Sequence, residues 1–116
     1  MSLRRHARFG LIARDAGLIM LLGAWAASAA LTPGVVTQSN RTFQPRQIEV
    51  ARGGTIRFVN DDGQLLHHIY STSPSFSFDS GEQEPGKTIE KRFTIAGTFT
   101  VLCGIHPKMR LAVTVR

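Results

Sequence analysis

The chain contains one cysteine, Cys103, so an internal disulfide cannot form. Small exported domains usually lean on disulfides or a bound metal, because cores of this size are marginal. A lone thiol in an oxidising compartment is open to oxidation or cross-linking, and metal ligation is one chemistry that protects it. Long hydrophobic runs are also scarce. The apolar stretch from Ala16 through Ala27 falls short of the ~20 residues that a membrane-spanning helix needs. After residue 30 no long stripe repeats at the helical period of 3.6. A basic tract is missing too. Of the 14 Lys and Arg residues, Arg4, Arg5, Arg8 and Arg14 precede the apolar stretch. The others are spread singly along the sequence, apart from Lys91-Arg92, which argues against nucleic-acid binding. No nucleophile–base pair is visible, and no catalytic turnover is expected.

What is present begins with an ordered leader: arginines, the short apolar run, then the small residues Ala27, Ser28, Ala29 and Ala30. That order predicts a secretory signal peptide over 1–30, cleaved after Ala29 or Ala30. The protein is then periplasmic or otherwise exported, and meets the membrane only through that signal during export. Residues 31–42 form a leading segment; Thr32 to Arg41 is polar and reads as a linker or leading edge. From Phe43 to Arg116 short strands alternate with turns. Strands are expected around Ile48–Val50, Thr55–Val59, His68–Ser71, Thr88–Phe93, Thr98–Cys103 and Leu111–Val115, with mostly loop from Ser73 to Gly86. Regularly spaced short strands without helices predict an all-β sandwich or barrel.

The densest chemistry lies in Cys103-Gly104-Ile105-His106-Pro107-Lys108-Met109. A thiolate, an imidazole and a thioether follow directly on a β run. Two histidines and a cysteine in a trigonal set, with a weak axial methionine, make a blue-copper site. One further histidine must come from elsewhere, and His67 or His68 stands at the start of an expected strand. Taken singly, each residue has a plainer use: Cys103 and Met109 as core, His106 as a turn residue, His67-His68 as a polar loop end. Their spacing in an exported all-β chain favours the metal.

These residues carry a family resemblance. Phe43-x-Pro45-x-x-Ile48-x-Val50-x-x-Gly53, then Thr55-Ile56-x-Phe58-x-Asn60-x-Asp62, resembles the opening strands of plastocyanin- and amicyanin-type cupredoxins. His67-His68-Ile69 stands where that family has His-Asn-Val. Gly97-Thr98-Phe99-Thr100 leads to Cys103, and Cys-x-x-His-x-x-Met is similar to amicyanin's short ligand loop. Leu111 departs from the glycine common in related loops. The resemblance, from about Phe43 to Val115, implies a cupredoxin-like Greek-key β-sandwich as the domain over 43–116, and one copper ion held by His67, Cys103, His106 and Met109. His68 is then the alternative first ligand, or a neighbour donating its N–H to the cysteine sulfur. Ile105 replaces a proline and restores a possible second N–H donor. The implied function is single-electron transfer between redox partners that dock weakly and transiently near His106. Ile105, Pro107, Met109, Leu65 and Leu66 would form an apolar patch there, on a monomer. The alternative is copper handling without electron transfer; a structural zinc domain would leave Met109 idle. A two-copper centre needs two cysteines and is excluded.

Overall fold

The computed structural model describes residues 32–116, so the leader expected over 1–30 lies outside the described residues. All regular structure described is β-strand. In chain order the strands are β1 (Gly34–Ser39), β2 (Thr42–Gln44), β3 (Gln47–Val50), β4 (Thr55–Asn60), β5 (Ile69–Ser73), β6 (Phe76–Asp79), β7 (Thr88–Arg92), β8 (Gly97–Cys103) and β9 (Arg110–Val115). They form two sheets, β2-β1-β4-β7 and β3-β9-β8-β5-β6. Both are mixed, because β1 runs parallel to β4 and β3 parallel to β9. This is the expected two-layer sandwich.

Period-two alternation explains the layers. In β4, Ile56 and Phe58 are buried while Arg57 between them is exposed. In β8 and β9, neighbours in one sheet, Phe99, Val101 and Cys103 lie beside Leu111, Val113 and Val115 on the same buried face. Val36, Phe43, Ile69, Phe93 and Met109 complete that core. Transfer out of water of such side chains stabilises a fold by roughly 1.5–3 kcal/mol each.

Two expectations change. The segment read as a linker or leading edge carries β1, which lies inside its sheet between β2 and β4. The stretch read as mostly loop contains β6, an edge strand whose Phe76 and Phe78 pack against Phe93. β1 and β2 are joined by a two-residue turn in which Asn40 and Arg41 have φ of 52° and 55°. Two left-handed residues match the twist of a hairpin. Arginine is costly in that conformation, so something outside the turn must hold it.

Candidate metal centre

The pairing of β5 with β8 builds the site. Ile69 lies opposite Cys103, and Tyr70 opposite Leu102. The backbone just before β5 therefore runs beside the end of β8. There Gly104 N–H donates to the His68 carbonyl at 2.8 Å, and His68 N–H donates to Cys103 Sγ at 3.4 Å. Behind the loop, Met109 N–H donates to the His106 carbonyl at 3.0 Å, closing the turn between β8 and β9.

Three donor atoms converge in this corner. Cys103 Sγ lies 3.6 Å from His67 Nδ1 and 3.8 Å from His106 Nδ1, and the two nitrogens are 3.3 Å apart. A first-row metal ion with N at about 2.0–2.1 Å and S at about 2.3 Å, in a trigonal plane, would separate its ligands by roughly 3.6–3.8 Å. The triangle is therefore already the size of a filled site, and the donors need little rearrangement to hold an ion. His67 and Cys103 are buried and His106 is partly exposed. Soft thiolate with two imidazoles selects copper over hard cations, and the cluster has the make-up of a type 1 copper site. Met109 is fully buried directly after the loop. It thus belongs to the interior and leaves the apolar surface to Ile105, Pro107 and Leu66, which are exposed.

The structure separates the two adjacent histidines. His67 points Nδ1 into the cluster and its Nε2 lies 2.9 Å from Asp62 Oδ2. His68 turns the other way, pairing through Nε2 with Asp79 Oδ1, while Gly104 packs against its ring. A Cβ at Gly104 would lie 3.3 Å from His68 Nδ1, so the loop needs a small residue there. Cys103 Sγ accepts the N–H of His68; the Ile105 N–H is not among its partners in the described residues.

Two supports escaped sequence reasoning. Asp62 is the first. Its Oδ1 accepts Asn40 N–H at 3.0 Å and its Oδ2 accepts Arg41 N–H at 2.8 Å. These bonds hold the left-handed turn and fix the carboxylate against His67. Burial pushes the Asp62 carboxyl up, but the Arg41 N–H, the His67 ring and the Asn40 N–H outweigh it and leave it below its ordinary value. His67 is also held below the usual imidazole range: burial lowers it first, Asp62 raises it, and nearby His106 lowers it again. Neutral imidazole is the form that binds metal, and a carboxylate on the far nitrogen fixes which nitrogen is offered.

The second support is the buried pair Gln83 and Asn60. Gln83 exchanges backbone hydrogen bonds with His67, at 2.6 and 3.1 Å. Its side-chain amide donates to the Phe58 and Lys87 carbonyls and accepts from Gln38 Nε2. Asn60 Nδ2 donates to the Leu65 and Gln83 carbonyls. A polar scaffold thus ties the His67 loop to the opposite sheet. Its only sequence trace is Asn60 and Asp62 inside a run of turn formers.

The class that fold and cluster define is a cupredoxin-like sandwich with a His2Cys metal centre. Solved structures agree on the fold. A Cu-containing nitrite reductase (NirK) from Thermus scotoductus SA-01 superposes with a TM-score of 0.67 and 25% identity, covering 73% of this chain and 22% of that one. The chain thus spans about a fifth of that enzyme. A methionine-to-alanine mutant of amicyanin with Cu(I) matches at 0.67 and 21% identity, covering 72% of this chain and 82% of that one. A second amicyanin mutant of that kind, also Cu(I), matches at 0.68 and 22%, covering 78% and 88%. No family model matches the sequence.

Proposed function

We propose that this chain is an exported type 1 copper protein that carries single electrons between redox partners. The observation that supports it most is the preformed triangle of His67 Nδ1, Cys103 Sγ and His106 Nδ1. His67, Cys103 and His106 would hold one copper ion, with Met109 as a weak axial donor. Bound there, copper supplies a one-electron couple. The protein supplies rigidity: the ligands hang from the ends of two paired strands and a short loop, so little moves when charge changes. His106 is the partly exposed member of the set, which makes its ring edge the route for electrons to and from a docked partner. With four donors no coordination position is left for substrate, so the chain turns over none itself. The amicyanins, similar to this chain over most of their length, are the better guide to its role than the reductase, of which it matches one part. The basic, apolar, small-residue order of the leader supports the exported part of this reading.

The test is a visible spectrum of the purified protein with Cu(II). An intense thiolate-to-copper band that disappears in Cys103→Ala and His67→Ala, and survives in His68→Ala, supports the reading. A colourless protein that takes up zinc instead overturns it.

A further inference from the structure

The cations that look scattered in sequence gather in space beside His106. Arg41, Arg46, Lys108 and Arg110 line one open groove, together with Thr42, Phe43 and Met109. A second, almost wholly apolar hollow is formed by Ile105, His106 and Pro107 and shares Arg41 and Lys108 with the first. The two are therefore one continuous face, with the histidine edge and exposed Ile105 on one side and four cations on the other. Ala112 N–H donates to the Arg46 carbonyl at 3.0 Å, which sets Arg46 beside β9, the strand that Arg110 begins. All four cations are exposed. Among the described residues, the ion pairs involve Arg57, Arg116, His67 and His68 and none of these four. Among the described residues, no acidic side chain lines either hollow.

Residues 32–116 hold ten Lys and Arg against seven Asp and Glu. The net excess is small, so four cations outside the ion pairs give this groove a locally positive charge. Charge of one sign in a cleft steers an oppositely charged partner and raises its encounter rate. We propose that this groove docks a row of carboxylates on a redox protein, aligning it so that its own centre meets the apolar surface at His106. The apolar part makes a small, releasable contact and the basic part selects and orients. The proposal rests on the electron-carrier reading and adds the partner's chemistry to it.

The experiment compares two double variants of the copper-loaded, reduced protein: Arg46→Gln with Arg110→Gln in the groove, and Arg57→Gln with Arg92→Gln on the other sheet. Each removes two positive charges. Stopped-flow oxidation by ferricyanide, an anion, should slow about tenfold in the groove variant at low ionic strength. The control variant should slow far less, and added salt should erase the difference. Oxidation by the cation tris(phenanthroline)cobalt(III) should quicken in the groove variant. Equal slowing by ferricyanide in both variants overturns the proposal, since only net charge would then matter. Nitrogen–proton NMR with hexacyanochromate(III), a paramagnetic anion that needs no copper, provides the second measurement. Broadening centred on residues 41, 46, 108 and 110 supports the groove even if the protein proves colourless, which would sink the carrier reading alone. Broadening elsewhere overturns it. Groove-dependent sedimentation with phosphatidylglycerol vesicles would reassign the face to a lipid surface and overturn the protein partner.

Discussion

At the scale of single residues, Asp62 contributes most among the residues that are not ligands. Its charge reaches His67 Nε2 at 2.9 Å, and a carboxylate there makes the imidazole a stronger donor, favouring Cu(II). Asp62→Asn keeps the shape and removes the charge; with its oxygen toward His67 and Arg41 it gives up only the bond from Asn40 N–H. If the two oxidation states differ by about 1–2 kcal/mol in their use of that contact, the potential rises by about 40–90 mV, from ~59 mV per tenfold for one electron. Cyclic voltammetry with the thiolate band still present reads this; a lower or unchanged potential would show that the charge is not felt at the metal. Ile105→Pro separates the two expected donors to sulfur. Proline lacks an N–H, and the sulfur takes its backbone hydrogen bond from His68. The potential of that variant should therefore stay close to wild type, and a fall of 40 mV or more would show that Ile105 supplies a bond once copper is bound. The three clustered donors His67, Cys103 and His106 were legible as candidates because soft donors packed into a seven-residue loop have few other uses. Asp62 was not, since its role depends on a hairpin about twenty residues away that presents two N–H groups to it.

At the scale of elements, the sandwich reads its site from both sheets. Gln83 carries the connection, touching Gln38, Phe58, Lys87 and His67 from one position. Gln83→Ala leaves several buried polar groups without partners, each costing about 1–3 kcal/mol. Urea unfolding should show a loss of about 2–4 kcal/mol, and the copper band should broaden as the His67 loop loosens; a loss under 1 kcal/mol would mean the scaffold is dispensable. Alternation made β4, β7, β8 and β9 readable. β6 hid because Ser, Pro and Gly crowd its flanks, although Phe76 and Phe78 alternate with polar neighbours as an edge strand should. β1 hid because its Gly34 start and polar Thr37 and Gln38 suggested a linker. Gln38 is in fact buried, satisfied at Nε2 by Gln83, a partner that no local pattern announces.

For the whole molecule, acidity is the simplest probe of the copper-free state. His67 is held below its ordinary value of about 6.5 in the fold, so the unfolded chain binds its proton first as pH falls. Stability is therefore complete above about pH 6.5 and declines on acidification below it, until the folded histidine also protonates. Asp62 acts in the same direction further down, because its lowered carboxyl is ionised in the fold after it protonates in the unfolded chain. Thermal unfolding of the metal-free protein from pH 8 to 5 should show a falling midpoint. In His67→Gln the slope between pH 7 and 5.5 should flatten, and an unchanged slope would exclude this histidine as its source. Copper, which binds the deprotonated donors, should raise the midpoint and steepen its dependence on acid.

Arg41 places two tasks on one residue but on different atoms. Its main-chain N–H grips Asp62 whatever side chain follows, and its exposed side chain carries the charge at the groove. A substitution that tolerates the left-handed turn, such as Arg41→Asn or Arg41→Asp, would leave the grip intact while changing what the surface attracts. On the electron-carrier reading, the potential at the metal and the choice of partner are thus set by different atoms. On the electron-carrier reading, rewriting the side chains at 41, 46, 108 and 110 would redirect the electron to a different recipient without reopening the candidate metal site.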